Sequence, residues 1–170
     1  MLLAGCDINA TNDLYWHSPP VLAAAWRKRL STMEFLLSSE VKPDLSITNE
    51  FGDTTLTIAA NQGPPGMLFK HRYQHKVADI LIQAEADFSG GSTFTYSAQP
   101  PLLVAAEQDS MECVRVLLAY GADPNVECSS VTTLYEADRP DIVQLLLNHD
   151  PKPVLDTVPI DQLNHANQAQ

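Results

Sequence analysis

Five histidines and three cysteines are the residues whose types could carry acid–base, nucleophilic or metal chemistry: His17, His71, His75, His149, His165, Cys6, Cys113 and Cys128. His71 and His75 are four apart, and on a helix that spacing lets two imidazoles share one metal. They fall in or beside a Pro- and Gly-bearing stretch with no third ligand beside them, which reads as a solvated loop. No H-E-x-x-H, triad-like setting or G-x-S-x-G is present, and Gly90-Gly91 lacks the continuation of a phosphate- or dinucleotide-binding loop. The cysteines are odd in number with no C-x-x-C spacing, so neither a disulfide framework nor a zinc site follows. They read as small, half-buried residues in a reducing compartment. Carboxylates abound, and no pair stands out as a dyad. No catalytic, cofactor-binding or metal-ligating residue is therefore assigned, and no cofactor is expected.

The elements that would position any site come next. A chain of 170 residues, 45% hydrophobic and 18% charged, has enough apolar material for one core and too little charge for a disordered tail. Its apolar runs fall far short of the roughly 20 residues that span a bilayer, and the N-terminus has no basic segment before a long apolar one. The expectation is an intracellular protein, cytoplasmic or nuclear, with no membrane partner. A net charge of −11 disfavours nucleic acid as a partner, because non-specific affinity rests on neutralising many phosphates.

The stretch LLAYGADPN, Leu117 to Asn125, recurs in degraded form as MLLAGCDIN from Met1, LLSSEVKPDL from Leu36, LIQAEADFS from Leu81 and LLNHDPKPV from Leu146. The apolar pairs that open them lie 35, 45, 36 and 29 residues apart, a spacing that signals stacked supersecondary units. Upstream of each pair runs a helical pattern: in MECVRVLL, Met111, Val114, Leu117 and Leu118 share one stripe. Further upstream comes PPLLVAAEQ at Pro100, echoed as PPVLAAAWR at Pro19, TTLTIAANQG at Thr54 and, shortened, TTLYEAD at Thr132. Proline suits a first helical turn, and Ala105-Ala106 lets a neighbouring helix approach closely. One unit is a short helix, a turn, a longer helix and a Gly-Ala-Asp turn.

This order resembles the ankyrin repeat. Pro100-Pro101-Leu102-Leu103-Val104-Ala105-Ala106 stands for the first helix, Asp109-Ser110-Met111-Glu112 for the turn, then Leu117-Leu118 and Gly121-Ala122-Asp123-Pro124-Asn125 for the second helix and its exit. The resemblance covers roughly residues 1–150 and implies an all-α solenoid of stacked helix-turn-helix units linked by β-hairpin-like fingers. The expected division is a partial N-terminal repeat at 1–6, repeat 1 at 7–43, repeat 2 at 44–86 with an insertion of about ten residues at 64–73, repeat 3 at 87–122, a shortened repeat 4 at 123–150, and a C-terminal tail or short cap at 151–170, one domain overall. The family's histidine is replaced by Leu22, Thr57, Leu103 and Tyr135. Loss of the inter-unit hydrogen bond it makes costs about 1 kcal/mol per site.

The resemblance implies a protein-interaction module that grips through a concave helix face and its fingers. On the concave face Trp26, Arg27, Asn61, Gln62, Glu107 and Gln108 are expected to meet a partner, Trp26 above all. On the fingers the same is expected of Asp13, Tyr15, Trp16, Glu50, Phe51, Asp53, Phe94, Tyr96 and Glu127, exposed aromatics and carboxylates that supply contact area and steer a basic ligand. Asp7, Asp44, Asp87 and Asp123 have a local role instead, each bonding its own backbone two residues on. Arg27, Lys28, Arg29, Lys70, Arg72 and Lys76 gather at the inter-helix turns of two adjacent units and form a basic edge for an acidic partner. The favoured function is thus non-enzymatic binding of a protein, basic at the contact, by a monomer or by part of a longer array. The alternative is an enzyme, or a regulatory part of one, with a pocket near the repeat-2 insertion; a weaker one is nucleic-acid mimicry.

Overall fold

The structure, a computed structural model, describes residues 6–12, 16–61, 74–87 and 99–149. Their elements run α1 (Pro20–Trp26), α2 (Leu30–Leu37), α3 (Thr55–Ala60), α4 (Gln74–Gln83), α5 (Pro101–Glu107), α6 (Met111–Ala119), β1 (Glu127–Cys128), β2 (Val131–Thr132), α7 (Thr133–Glu136) and α8 (Pro140–Leu147). α1 pairs with α2, α3 with α4 and α5 with α6, and the pairs stack in sequence order, with α7 and α8 continuing the two rows. The short helices form an inner row, α1 on α3 on α5 on α7, and the longer ones an outer row, α2 on α4 on α6 on α8. The expected all-α solenoid is the fold observed.

Local chemistry sets the ends of these helices. Pro20 and Pro101 open α1 and α5 at the position where a missing N–H has no cost. Where threonine replaces proline, its hydroxyl does the capping: Thr54 accepts from the Thr57 N–H, and Thr132 from the Tyr135 N–H. The first unit turns from inner to outer helix through Lys28 at φ 53°, the third through Asp109 at φ 54°, and in both the next residue's N–H returns to the alanine carbonyl five residues back. At the outer-helix ends, Ala122 N–H likewise reaches Leu117 O across Gly121 at φ 91°, and Ala86 N–H reaches Leu81 O across Glu85 at φ 67°.

Inner helices are short, and the middle two are almost wholly buried. All six residues of α3 and the first six of α5 are buried, with Ala24-Ala25, Ala59-Ala60 and Ala105-Ala106 at the helix–helix contacts. Outer helices are amphipathic and bury one stripe, such as Cys113, Val114, Leu117 and Leu118 on α6. The core is one continuous cluster from Ile8 to Leu146. No pair buries its apolar face alone, so stability comes from contacts between neighbours.

Several bonds tie adjacent pairs together. Asp44 N–H donates to Asn9 Oδ1 at 2.8 Å, and Lys28 Nζ donates to Asn61 O at 3.1 Å. Tyr120 Oη donates to Asp79 Oδ1 at 2.7 Å across the outer row, and Arg139 Nη1 reaches Asp109 O at 3.3 Å. Thr57 Oγ1 donates to Gln99 O at 3.3 Å. That last bond corrects the expectation for the four positions lacking the family's histidine, because at one of them a shorter hydroxyl still bridges residues of different units.

Among the described residues, a paired two-stranded ladder forms in one finger, where β1 meets β2 with Glu127 opposite Thr132 and Cys128 opposite Val131. The finger before α1 closes with a single bridge, Asn12 to Ser18. The β1–β2 turn is Ser129-Ser130 with both residues at positive φ, 52° and 69°, a conformation that favours glycine. Ser130→Gly is expected to stabilise the protein by about 0.5–1 kcal/mol, read as a higher urea midpoint with unchanged slope. A lower midpoint would show that Ser130 earns its place through a contact other than the turn.

Candidate partner-binding surface

The finger before α1 and the finger before α3 build the site. Trp16 and His17 both sit at φ 53°, so the first finger turns sharply and returns along the stack. Glu50 N–H donates to Trp16 O at 3.2 Å, which fixes the second finger against the first. Within the second finger Asn49 is the organiser: its Oδ1 accepts from the Phe51 and Asp53 N–H groups, both at 2.9 Å, and its Nδ2 donates to Asp53 Oδ2 at 3.2 Å. Gly52 at φ 85° makes the tip that this bonding needs.

Three aromatic rings meet as a result. Trp16 lies edge-on to Trp26, centroids 5.4 Å apart at 73°, and tilts against Phe51 at 6.1 Å. All remain open to solvent, at 41% for Trp16, 38% for Trp26 and 46% for Phe51. Beside them runs a shallow groove with Leu22 and Ala23 as its apolar floor and Ser18, Arg27 and Asn49 as polar rim. Trp26 was expected on the concave face and Trp16 and Phe51 on the fingers. The fold joins the two sets into one patch.

The expected basic edge divides. Arg27 and Arg29 are exposed, but Lys28 is half-buried with its ammonium turned to the Asn61 carbonyl at the end of α3. Burial lowers its pKa. Lys28, expected on the docking edge, also ties one pair to the next, its side chain turned toward the Asn61 carbonyl. Lys76 is exposed on α4. Lys70 and Arg72 lie outside the described residues, as do Asp13, Tyr15, Gln62, Phe94, Tyr96, the whole insertion at 64–73, residues 1–5 and the tail at 151–170.

The acidic set divides too. Glu50 and Glu127 are exposed finger carboxylates, whereas Asp53 is half-buried against Asn49. Burial raises its pKa while the Asn49 bond lowers it. Asp53, expected to face a partner, also helps to shape the finger. Asp7, Asp44 and Asp123 accept from the N–H groups of Asn9, Ser46 and Asn125, each at 2.9 Å, as the turn chemistry predicts. Burial pushes Cys113 up, away from thiolate reactivity, and no group of metal-ligating side chains gathers among the described residues.

At the other end of the inner row Glu107 closes α5 and Glu136 closes α7, and no basic residue stands in either last turn. The Glu107 carboxylate opposes the negative end of the α5 dipole. Partial burial, then the Glu136 charge, raises the Glu107 carboxyl above its ordinary 4.5. The folded state therefore binds this proton more tightly than the unfolded chain does, and stability is lost as pH rises through the ordinary range toward the folded value. Glu107→Gln is expected to raise the thermal midpoint at neutral pH and to leave it unchanged at pH values below the ordinary carboxylate range. An equal effect at both would remove the electrostatic account. Asn49 and Ser18 line the groove and Glu136 adjoins Glu107, and none of the three carries a signal in the sequence beyond its place near the finger and inner-helix motifs; Leu22 was marked there only as a replaced histidine.

Against known families, a model described as ankyrin repeats (3 copies) matches residues 21–128 and again 67–156. The chain belongs to the ankyrin repeat family. An ankyrin repeat stack is a protein-interaction module, so the aromatic patch and inner row stand on a scaffold of that kind. In this ankyrin repeat chain, no helix among the described residues is long and apolar enough to cross a membrane.

Proposed function

We propose that the chain is a non-enzymatic adaptor whose concave helix face and acidic fingers hold a protein partner through a basic segment. The observation that carries this reading is the contact of Trp16, Trp26 and Phe51, three exposed aromatic rings from two fingers and one inner helix. Rings of this size left partly in water hold apolar area in reserve for a partner, and tryptophan is enriched among residues that dominate binding energy. Exposed Glu50, Glu107 and Glu127 support a basic contact.

Affinity capture tests the proposal by comparing wild type with a Trp26→Ala, Phe51→Ala, Glu50→Lys triple variant of unchanged circular dichroism. A protein partner retained by wild type and lost from the variant is the expected result. Equal capture by both sinks the surface assignment.

A further inference from the structure

The partner-binding surface has opposite charge at its two ends. Beside the aromatic patch, on the turn side of α1, stand Arg27 and Arg29, both exposed, with Lys28 between them turned inward onto Asn61 O. Glu50 lies on the finger side of the same patch. Two and three packing steps along the inner row stand Glu107 and Glu136, the terminal residues of α5 and α7, with no basic residue in either last turn. Between them the inner row offers Asn61 and Gln108, which carry no charge.

From this geometry we infer that the surface takes an extended segment of another protein with fixed polarity. An apolar side chain seats in the groove over Leu22 and Ala23, an acidic residue next to it faces Arg27 and Arg29, and lysine or arginine further along meets Glu107 and Glu136. This rests on the adaptor reading and sharpens it, because a segment basic throughout would bring like charge to Arg27. Inter-helix spacings of about 8–10 Å put the acidic end about 16–30 Å from Trp26. An extended chain rising about 3.3 Å per residue covers that in about five to nine residues. Matching charges at each end, with like charge penalised at the wrong one, selects between two orders of the same residues.

Both tryptophans of the chain lie in the patch, so tryptophan emission excited at the red edge, where tyrosine does not absorb, reports on this site. Two synthetic peptides of identical composition serve as probes: Asp-Asp-Leu, a Gly-Ser spacer of about six residues and Lys-Lys; and Lys-Lys-Leu, the same spacer and Asp-Asp. The first is expected to shift tryptophan emission with an affinity at least about tenfold above the second. In an Arg27→Glu, Arg29→Glu, Glu107→Lys variant, whose substituted side chains are all exposed, the preference is expected to invert. Equal affinities, a preference for the second peptide, no emission change with either, or a variant that keeps the wild-type preference would each overturn the inference. If the peptides fail while the aromatic triple variant still loses its captured partner, only the polarity is wrong; if capture also ignores that variant, the adaptor surface itself is wrong.

Discussion

Trp26→Ala is expected to weaken partner binding by at least about tenfold, while the thermal midpoint falls by only about 2–4 °C. The two numbers differ because the ring does different things in the free and bound states. In the free protein it is 38% exposed and meets the edge of Trp16, a pairing worth about 0.5–1.5 kcal/mol. For a chain of this length about 1 kcal/mol moves the midpoint by about 2–4 °C. In the complex the remaining surface is covered, and truncating a buried tryptophan anchor commonly costs about 2 kcal/mol or more. Phe35 is the control: at 55% it is more exposed than Trp26, but it sits on outer helix α2, away from the patch. Phe35→Ala should leave affinity unchanged. Isothermal titration with the captured partner measures both, and a Trp26→Ala variant that binds like wild type would refute the central role given to this ring.

Leu117→Ala should have the largest effect on stability, about 3 kcal/mol. Leu117 is fully buried on α6, which packs on α5 within its own pair and on α4 and α8 to either side. Removing a leucine side chain from such a site forfeits the transfer free energy and leaves a cavity that helices held from three directions cannot close, a loss of about 2–5 kcal/mol. Against a total of about 5–15 kcal/mol this is a large share. Urea unfolding followed by circular dichroism gives the value. A loss under about 1 kcal/mol would mean that the stack relaxes around the gap and that its packing is looser than the buried cluster implies.

The contrast between these two residues shows what the sequence made legible. Leu117 could be placed in the core from its stripe with Met111, Val114 and Leu118, because a period of 3.6 is a local property. The turns at Asp7, Asp44 and Asp123 were legible for the same reason, since each carboxylate bonds a backbone group two residues away. Trp26 was legible as an inner-helix residue, but its meeting with Trp16 depends on two consecutive positive-φ residues, Trp16 and His17, that no residue pattern marks. Two charged side chains have partners that the sequence does not mark. Lys28 reaches a carbonyl 33 positions away, and that partner is set by how one pair stacks on the next. Asp53 is drawn in by Asn49, whose side chain organises the finger by satisfying two backbone groups and a carboxylate at once. Composition marks these residues as charged; tertiary contacts supply their partners.

The ties between pairs have a mechanical consequence. Asn9 to Asp44, Lys28 to Asn61, Asp79 to Tyr120 and Asp109 to Arg139 each join one helix pair to the next and skip none. Joints arranged in that way act as springs in series. A tensile load applied at one end is carried undiminished by every joint, and the total stretch is the sum of many small openings. A stretch along the stack is therefore expected to spread over the joints between pairs before any helix breaks.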